Sequence, residues 1–221
     1  MPHIPESMAW FQSGEVVCCC FVCDCILPRL MQKQMGNSVS FRALNYGGIG
    51  ATIGHEITHG FDDQGRQYDA FGNLHDWWTP GVKKKFLEKA KCFVDQYGRN
   101  EVPGTGLKLN GKLTQGENIA DNGGVKEALK AYKKYLKKHG KEEPLEGLEQ
   151  YSNEQMFFIG YAMTWCGHDT KDFLISRILV DDHSPNRYRV NQNLANHPEF
   201  AEAFECEVGT PMNPTERCVL W

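Results

Sequence analysis

The chain has 221 residues, 41% of them hydrophobic and 24% charged, and its formal net charge is −4. That length and apolar content are enough for one buried core, and the mild acidity gives no reason to expect nucleic acid as a partner. Residues 1–43 carry the most biased segment, Cys18-Cys19-Cys20-Phe21-Val22-Cys23-Asp24-Cys25. A metal–thiolate knuckle needs two spaced cysteine pairs, and a secretory signal needs a basic leader. The apolar run from Val16 to Leu27 is too short to span a bilayer and contains Asp24. This stretch is therefore expected to be a disordered or non-native leader, with a lipidated or disulfide-linked tether as the alternative.

From residue 44 onward the pattern is mostly helical. A helix is expected over residues 49–60, carrying His55-Glu56-Ile57-Thr58-His59. Thr79-Pro80 reads as an N-cap followed by proline at the first helical position. Val82, Phe86, Ala90, Phe93, Val94 and Tyr97 then mark one face, and Gly98 ends the helix. Val102 to Gly111 reads as a loop. A further helix starts near Glu117 and keeps Ile119, Ala128, Leu129, Tyr132, Tyr135 and Leu136 inward until Gly140. Its lysines, Lys133, Lys134, Lys137, Lys138 and Lys141, interleave with those residues and read as a solvated face. Ser152 with Gln155 resembles a capping box opening a helix from Met156 to Trp165. Asn196 with Pro198 starts a short last helix through Phe204, and no internal repeat or second domain is visible in residues 44–221.

The chemistry concentrates in two places. His55 and His59 are four residues apart, so a helix projects both imidazoles from one face toward a single metal ion, with Glu56 beside it as a candidate general base. A metzincin would continue with glycine and a third histidine; here those places hold Asp62 and Gly65. The remaining common arrangement takes a glutamate from a second helix. Gly116-Glu117-Asn118-Ile119-Ala120-Asp121-Asn122-Gly123-Gly124 offers Glu117 and Asp121 on one face. One carboxylate can ligate and the other can accept the free ring N–H of a ligand histidine. The Gly-Gly pair permits close helix packing.

These blocks, together with Leu44 to Gly50, Asp76-Trp77-Trp78, Trp165-Cys166-Gly167, His183-Ser184-Pro185 and Pro211 to Trp221, resemble the catalytic part of the neprilysin and endothelin-converting enzyme family. The resemblance covers residues 44–221. It implies a mainly α (α+β) gluzincin, a thermolysin-like zinc-peptidase subdomain in truncated form. His55, His59 and Glu117 would hold one Zn2+ per chain. Glu56 would accept the proton as a zinc-bound water attacks the peptide carbonyl of an oligopeptide substrate. Asp121 would orient a ligand histidine, and His183, oriented by Asp181, would donate to the developing oxyanion. Arg189 would grip the substrate carbonyl beyond the scissile bond, in a block where Gln192 replaces the family's usual glycine.

The resemblance also implies a Cys92–Cys218 disulfide, and it leaves Cys166 and Cys206 without their family partners, as free thiols or mispaired. The family's upstream Asn-Ala-aromatic clamp and N-terminal helical lid have no counterpart in these residues. An extracellular or cell-surface location follows from the family alone, since no membrane segment is found. His75, His139, His168 and His197 read as surface or packing residues, and Trp77 and Trp78 as core. A zinc endopeptidase is the leading reading, and a catalytically inactive fragment acting as a binding or inert module is the alternative.

Overall fold

The computed structural model describes residues 41–221, so the expectations for the leader, its cysteine cluster included, lie outside the described residues up to residue 40. Helix α1 (Arg42–Asn45) passes through a π-helical stretch (Tyr46–Gly50) into α2 (Ala51–His59). A 3-10 turn at Gly65–Gln67 and a loop lead to α3 (Pro80–Gly98). An antiparallel hairpin follows, β1 (Glu101–Val102) with β2 (Leu107–Lys108), pairing Glu101 with Lys108 and Val102 with Leu107. The rest is helical: α4 (Gln115–His139), α5 (Asn153–Thr164), α6 (Lys171–Val180), α7 (Asn186–Ala195) and α8 (Pro198–Ala203).

The caps explain where these helices begin and end. Thr79 accepts the N–H of Val82, with Pro80 opening α3. Ser152 and Gln155 form the expected reciprocal box at α5. Gly140 stops α4 at φ 85°, a conformation that L side chains rarely adopt. The free N–H groups at the start of α1 are met from far away in sequence. Glu142 accepts from Arg42 N–H at 2.8 Å and from Ala43 N–H at 3.0 Å, and also takes the Tyr132 hydroxyl at 2.7 Å.

Four expectations change. The helix bearing the histidines begins at Arg42 rather than residue 49, because the Gly-rich stretch continues it in π form. α6 and α7 are helices that periodicity does not announce. Val82 is 50% exposed, outside the buried face of α3 that Phe86, Ala90, Phe93 and Tyr97 make. Trp77 is likewise 50% exposed, its indole N–H donating to Tyr68 O, while Trp78 packs on the core.

Two apolar clusters flank α4. One gathers Phe41, Ala43, Val125, Tyr132, Phe157, Phe158 and Phe200; the other gathers Phe86, Phe93, Tyr97, Ile119, Ile178 and Leu220. The Cys92–Cys218 disulfide forms as expected and ties α3 to the C-terminal segment, with a Cα–Cα distance of 5.5 Å. Of the two fates expected for these cysteines, free or bonded to a partner outside the family's pairing, Cys206 is a buried free cysteine and Cys166 is disulfide-bonded. Among the described residues no helix is long and apolar enough to cross a membrane.

The approach of α2 to α4 sets the site. A Cβ on Gly124 would stand 2.5 Å from Ala51 O and 2.6 Å from His55 N, and one on Gly54 would stand 2.8 Å from Gly124 O. On Gly123 it would meet the Thr58 side chain at 2.5 Å. The two backbones thus touch directly, glycine against backbone, which larger residues would forbid.

Candidate active site

That contact brings the ligand candidates together. His55 and His59 leave the same face of α2, their rings at right angles with centroids 4.5 Å apart and their Nε2 atoms 3.0 Å apart. Glu117, in the first turn of α4, reaches both. Its Oε2 lies 3.3 Å from His55 Nε2 and its Oε1 lies 3.2 Å from His59 Nε2. A carboxylate is favoured at that helix start by the exposed N–H groups and the helix dipole. These three side chains form a group whose ligand atoms all lie within 4.8 Å of one another. Glu56, between the histidines, faces solvent.

Asp121, one turn along α4 from Glu117, accepts at Oδ1 from His55 Nδ1 at 2.8 Å. It is almost fully buried, and Arg189 from α7 neutralises it through a two-pronged contact. Arg189 Nε donates to Oδ2 and Nη2 to Oδ1, both at 2.7 Å. The same Nη2 comes within 3.4 Å of Glu117 Oε2. The guanidinium lies on the Trp165 ring, its carbon 3.9 Å from the centroid. Behind it, the Tyr161 hydroxyl donates to Arg189 O at 3.0 Å and accepts from the Asn193 amide at 2.8 Å.

His183 enters from the loop between α6 and α7. Its Nε2 lies 3.1 Å from Glu117 Oε2, and its Nδ1 is 2.8 Å from Asp181 Oδ1 and 3.0 Å from Asp182 Oδ1. The His183 backbone N–H also donates to Asp181. Arg177 on α6 holds this loop by contacts to Asp181 at 3.4 Å and Asp169 at 3.2 Å, and by donating to Ser184 O. The Ser184 hydroxyl donates to Asn118 on α4 at 2.8 Å. The loop is thus fixed from both neighbouring helices.

The electrostatics follow from this crowding. Burial alone would lower the His55 pKa, but the Asp121 and Glu117 carboxylates override it and raise it to about 9. Burial would raise Glu117; hydrogen bonding to His55 and the three neighbouring histidines hold it below the usual carboxylate range instead. Asp181 is depressed in the same sense: burial opposes, and the backbone N–H and ring of His183 prevail.

The expected residues thus converge: His55, His59, Glu117, Asp121, His183, Asp181 and Arg189 make one connected cluster. His75, His139 and His168 stay exposed, and His197 is buried against Asn193. Sequence reasoning missed Asp62, Arg177 and Trp165. Asp62 gave one signal, its place three residues after His59; its partner in that contact is His59 Nδ1, at 2.6 Å.

Known proteins resemble the chain in both sequence and fold. Residues 22–220 match Peptidase family M13, a match that begins inside the segment 1–43. Neprilysin-1 of Caenorhabditis elegans is 60% identical over 193 residues, which are 87% of this chain and 26% of that protein. Human endothelin-converting enzyme 1 is 45% identical over 192 residues, 87% of this chain and 24% of that protein. A solved Haemonchus galactose-containing glycoprotein complex superposes with a TM-score of 0.76 at 44% identity, covering 81% of this chain and 30% of that one. A Mycobacterium tuberculosis zinc metalloprotease in complex with an inhibitor gives a TM-score of 0.73 at 38% identity, covering 81% and 28%. The chain spans about a quarter of the length of the curated relatives it matches. The mainly helical fold is that of these zinc metalloproteases.

Proposed function

Because the chain belongs to peptidase family M13, we propose that its described residues form the metal-holding part of a metalloendopeptidase cleft that hydrolyses oligopeptides. His55, His59 and Glu117 would hold one zinc ion per chain. The observation that carries this reading is the convergence of their ligand atoms within 4.8 Å, on two helices locked by backbone contact. Two imidazoles and one carboxylate suit zinc, and a three-ligand set leaves a coordination position open. When bound, zinc supplies Lewis acidity, polarising a carbonyl and lowering the pKa of a coordinated water to about 7.

The chain's own residues supply the rest. Glu56, next to His55 and open to solvent, takes the proton from the attacking water and returns it to the leaving nitrogen. Asp121 holds His55 by its Nδ1, and the two-pronged contact from Arg189 orients Asp121. His183, held by Asp181, offers its ring N–H to the carbonyl oxygen as negative charge develops there. Arg189 additionally serves the substrate carbonyl beyond the scissile bond, the role that family resemblance suggests for it. The cell surface or exterior is the proposed location; the Cys92–Cys218 disulfide is in keeping with an oxidising compartment.

The test is metal analysis of the folded chain together with Glu56→Gln. One zinc per chain is expected, and Glu56→Gln should keep the zinc while losing cleavage of an internally quenched peptide. Folded protein without stoichiometric zinc refutes the ligand set, and cleavage surviving in Glu56→Gln refutes the base. A wild-type chain that holds zinc but cleaves nothing would mark the alternative, a non-catalytic binding module.

A further inference from the structure

The two histidines are supported differently. His55 is held across the helix interface by Asp121, which Arg189 neutralises. His59 is held locally by Asp62, three residues on, where the chain turns away from α2. Asp62 is 5% exposed, and its two oxygens divide the work. Oδ1 accepts the backbone N–H groups of Gln64 at 2.8 Å and Gly65 at 2.7 Å, closing the turn, while Oδ2 meets His59 Nδ1 at 2.6 Å. The turn is folded hard against the helix end, for a Cβ on Gly65 would stand 1.8 Å from His59 O. Gly65 and the two N–H groups therefore fix where the Asp62 carboxylate stands.

We propose that Asp62 is a second positioning carboxylate of the metal site, holding the His59 imidazole in the tautomer whose Nε2 lone pair is free for the metal. A neutral imidazole has one donor and one acceptor nitrogen. A carboxylate oxygen at Nδ1 can only accept, so the ring proton stays on Nδ1 and Nε2, the atom facing Glu117 and His55, is the ligand. The proposal rests on His59 being a zinc ligand. It extends the recognition pattern from His-Glu-x-x-His to include Asp62 and Gly65, all within one short segment.

Asp62→Asn separates this role from the turn. Its amide oxygen is still needed by the Gln64 and Gly65 N–H groups, so the amide NH2 is turned toward His59 Nδ1. Nδ1 must then accept, and the ring proton moves to Nε2. In the metal-free 221-residue chain, two-dimensional 1H–15N spectra of the neutral histidine rings should show His59 changing from the Nδ1–H to the Nε2–H form. Competition with a chromophoric chelator should show zinc bound about 10- to 100-fold more weakly, with the melting temperature close to wild type. Asp62→Ala should lose both zinc affinity and stability, because it also opens the turn. Wild-type tautomer and wild-type zinc affinity in Asp62→Asn would overturn the proposal and leave the zinc reading intact. A wild-type chain that binds no zinc would overturn the zinc reading itself, and this one with it.

Discussion

Replacing Gly124 by alanine adds one methyl group at the point where α2 and α4 touch. The new Cβ would lie 2.5 Å from Ala51 O and 2.6 Å from His55 N, about 0.9 Å inside the 3.4 Å at which ordinary contact begins. Both obstacles are backbone, so neither can rotate aside; the helices must separate or shift along one another. Such overpacking typically costs about 1–3 kcal/mol. At about 2–4 °C per kcal/mol for a domain of this size, the melting temperature should fall by roughly 2–12 °C. The same movement pulls Glu117 from His55 and His59, whose present separations are 3.3 and 3.2 Å. A displacement near 1 Å at reacting groups can cost on the order of 100-fold in rate. Zinc affinity should fall with stability, measured by chelator competition on the folded fraction at a temperature below the melt. Gly81→Ala is the control, since nothing lies within 4 Å of its added Cβ. A Gly124→Ala protein with wild-type melting and zinc affinity would refute the claim that glycine contact sets the ligand spacing.

Two further outcomes follow from other parts of the molecule. His197 is buried, with its pKa lowered by burial from 6.5 to about 4, as Glu199 pulls it up less than burial and Lys126 push it down. Between those values the unfolded chain binds a proton that the folded chain refuses, so stability is lost as pH falls through this window, by about 3 kcal/mol in all. Denaturant unfolding between pH 7 and pH 4 should show the loss, and His197→Gln should flatten it; an unchanged slope in the variant would assign the acid sensitivity elsewhere. Removing the Cys92–Cys218 bond with the double substitution Cys92→Ser and Cys218→Ser should destabilise by about 2–4 kcal/mol, since the bond closes a span of 126 residues. Unchanged denaturant midpoints would count against it.

The pairs His55/His59 and Glu117/Asp121 were legible because their information is periodic: four-residue spacing on a helix reports a shared face whatever the rest of the fold does. The caps at Thr79 and Ser152 were legible for a similar reason, as local side-chain-to-backbone chemistry. α6 was hidden because Phe173, Leu174, Ile175, Ile178, Leu179 and Val180 form a short apolar run that fits a strand as well as a helix. Of these only Ile178 is buried, while Phe173, Leu179 and Val180 stay exposed. α7 was hidden because it buries polar residues, Arg189 and Asn193 among them, and begins at Pro185 without a side-chain cap. Their burial is offset by partners on other helices, Asp121 and Tyr161, which no local pattern contains. Asp62 escaped notice because its meaning depends on a turn rather than on a helix face.

The π-helical stretch at Tyr46–Gly50 acts as a phase element between two docked faces of one rod. On its N-terminal side, Leu44 lies against Gly160, and a Cβ on Gly47 would stand 1.9 Å from Phe157 O, so that end is seated on α5. On its C-terminal side, Gly54 and His55 are seated on α4. An ordinary α-helix advances about 100° per residue, so deleting one residue here would turn the histidine pair by roughly that angle away from Glu117 while the other end stayed seated. Length changes in this segment should therefore be far more damaging than substitutions that preserve it. The hairpin turn between β1 and β2, where added side chains at Gly104 and Gly106 meet only open space, should absorb an inserted residue with little effect on the metal site.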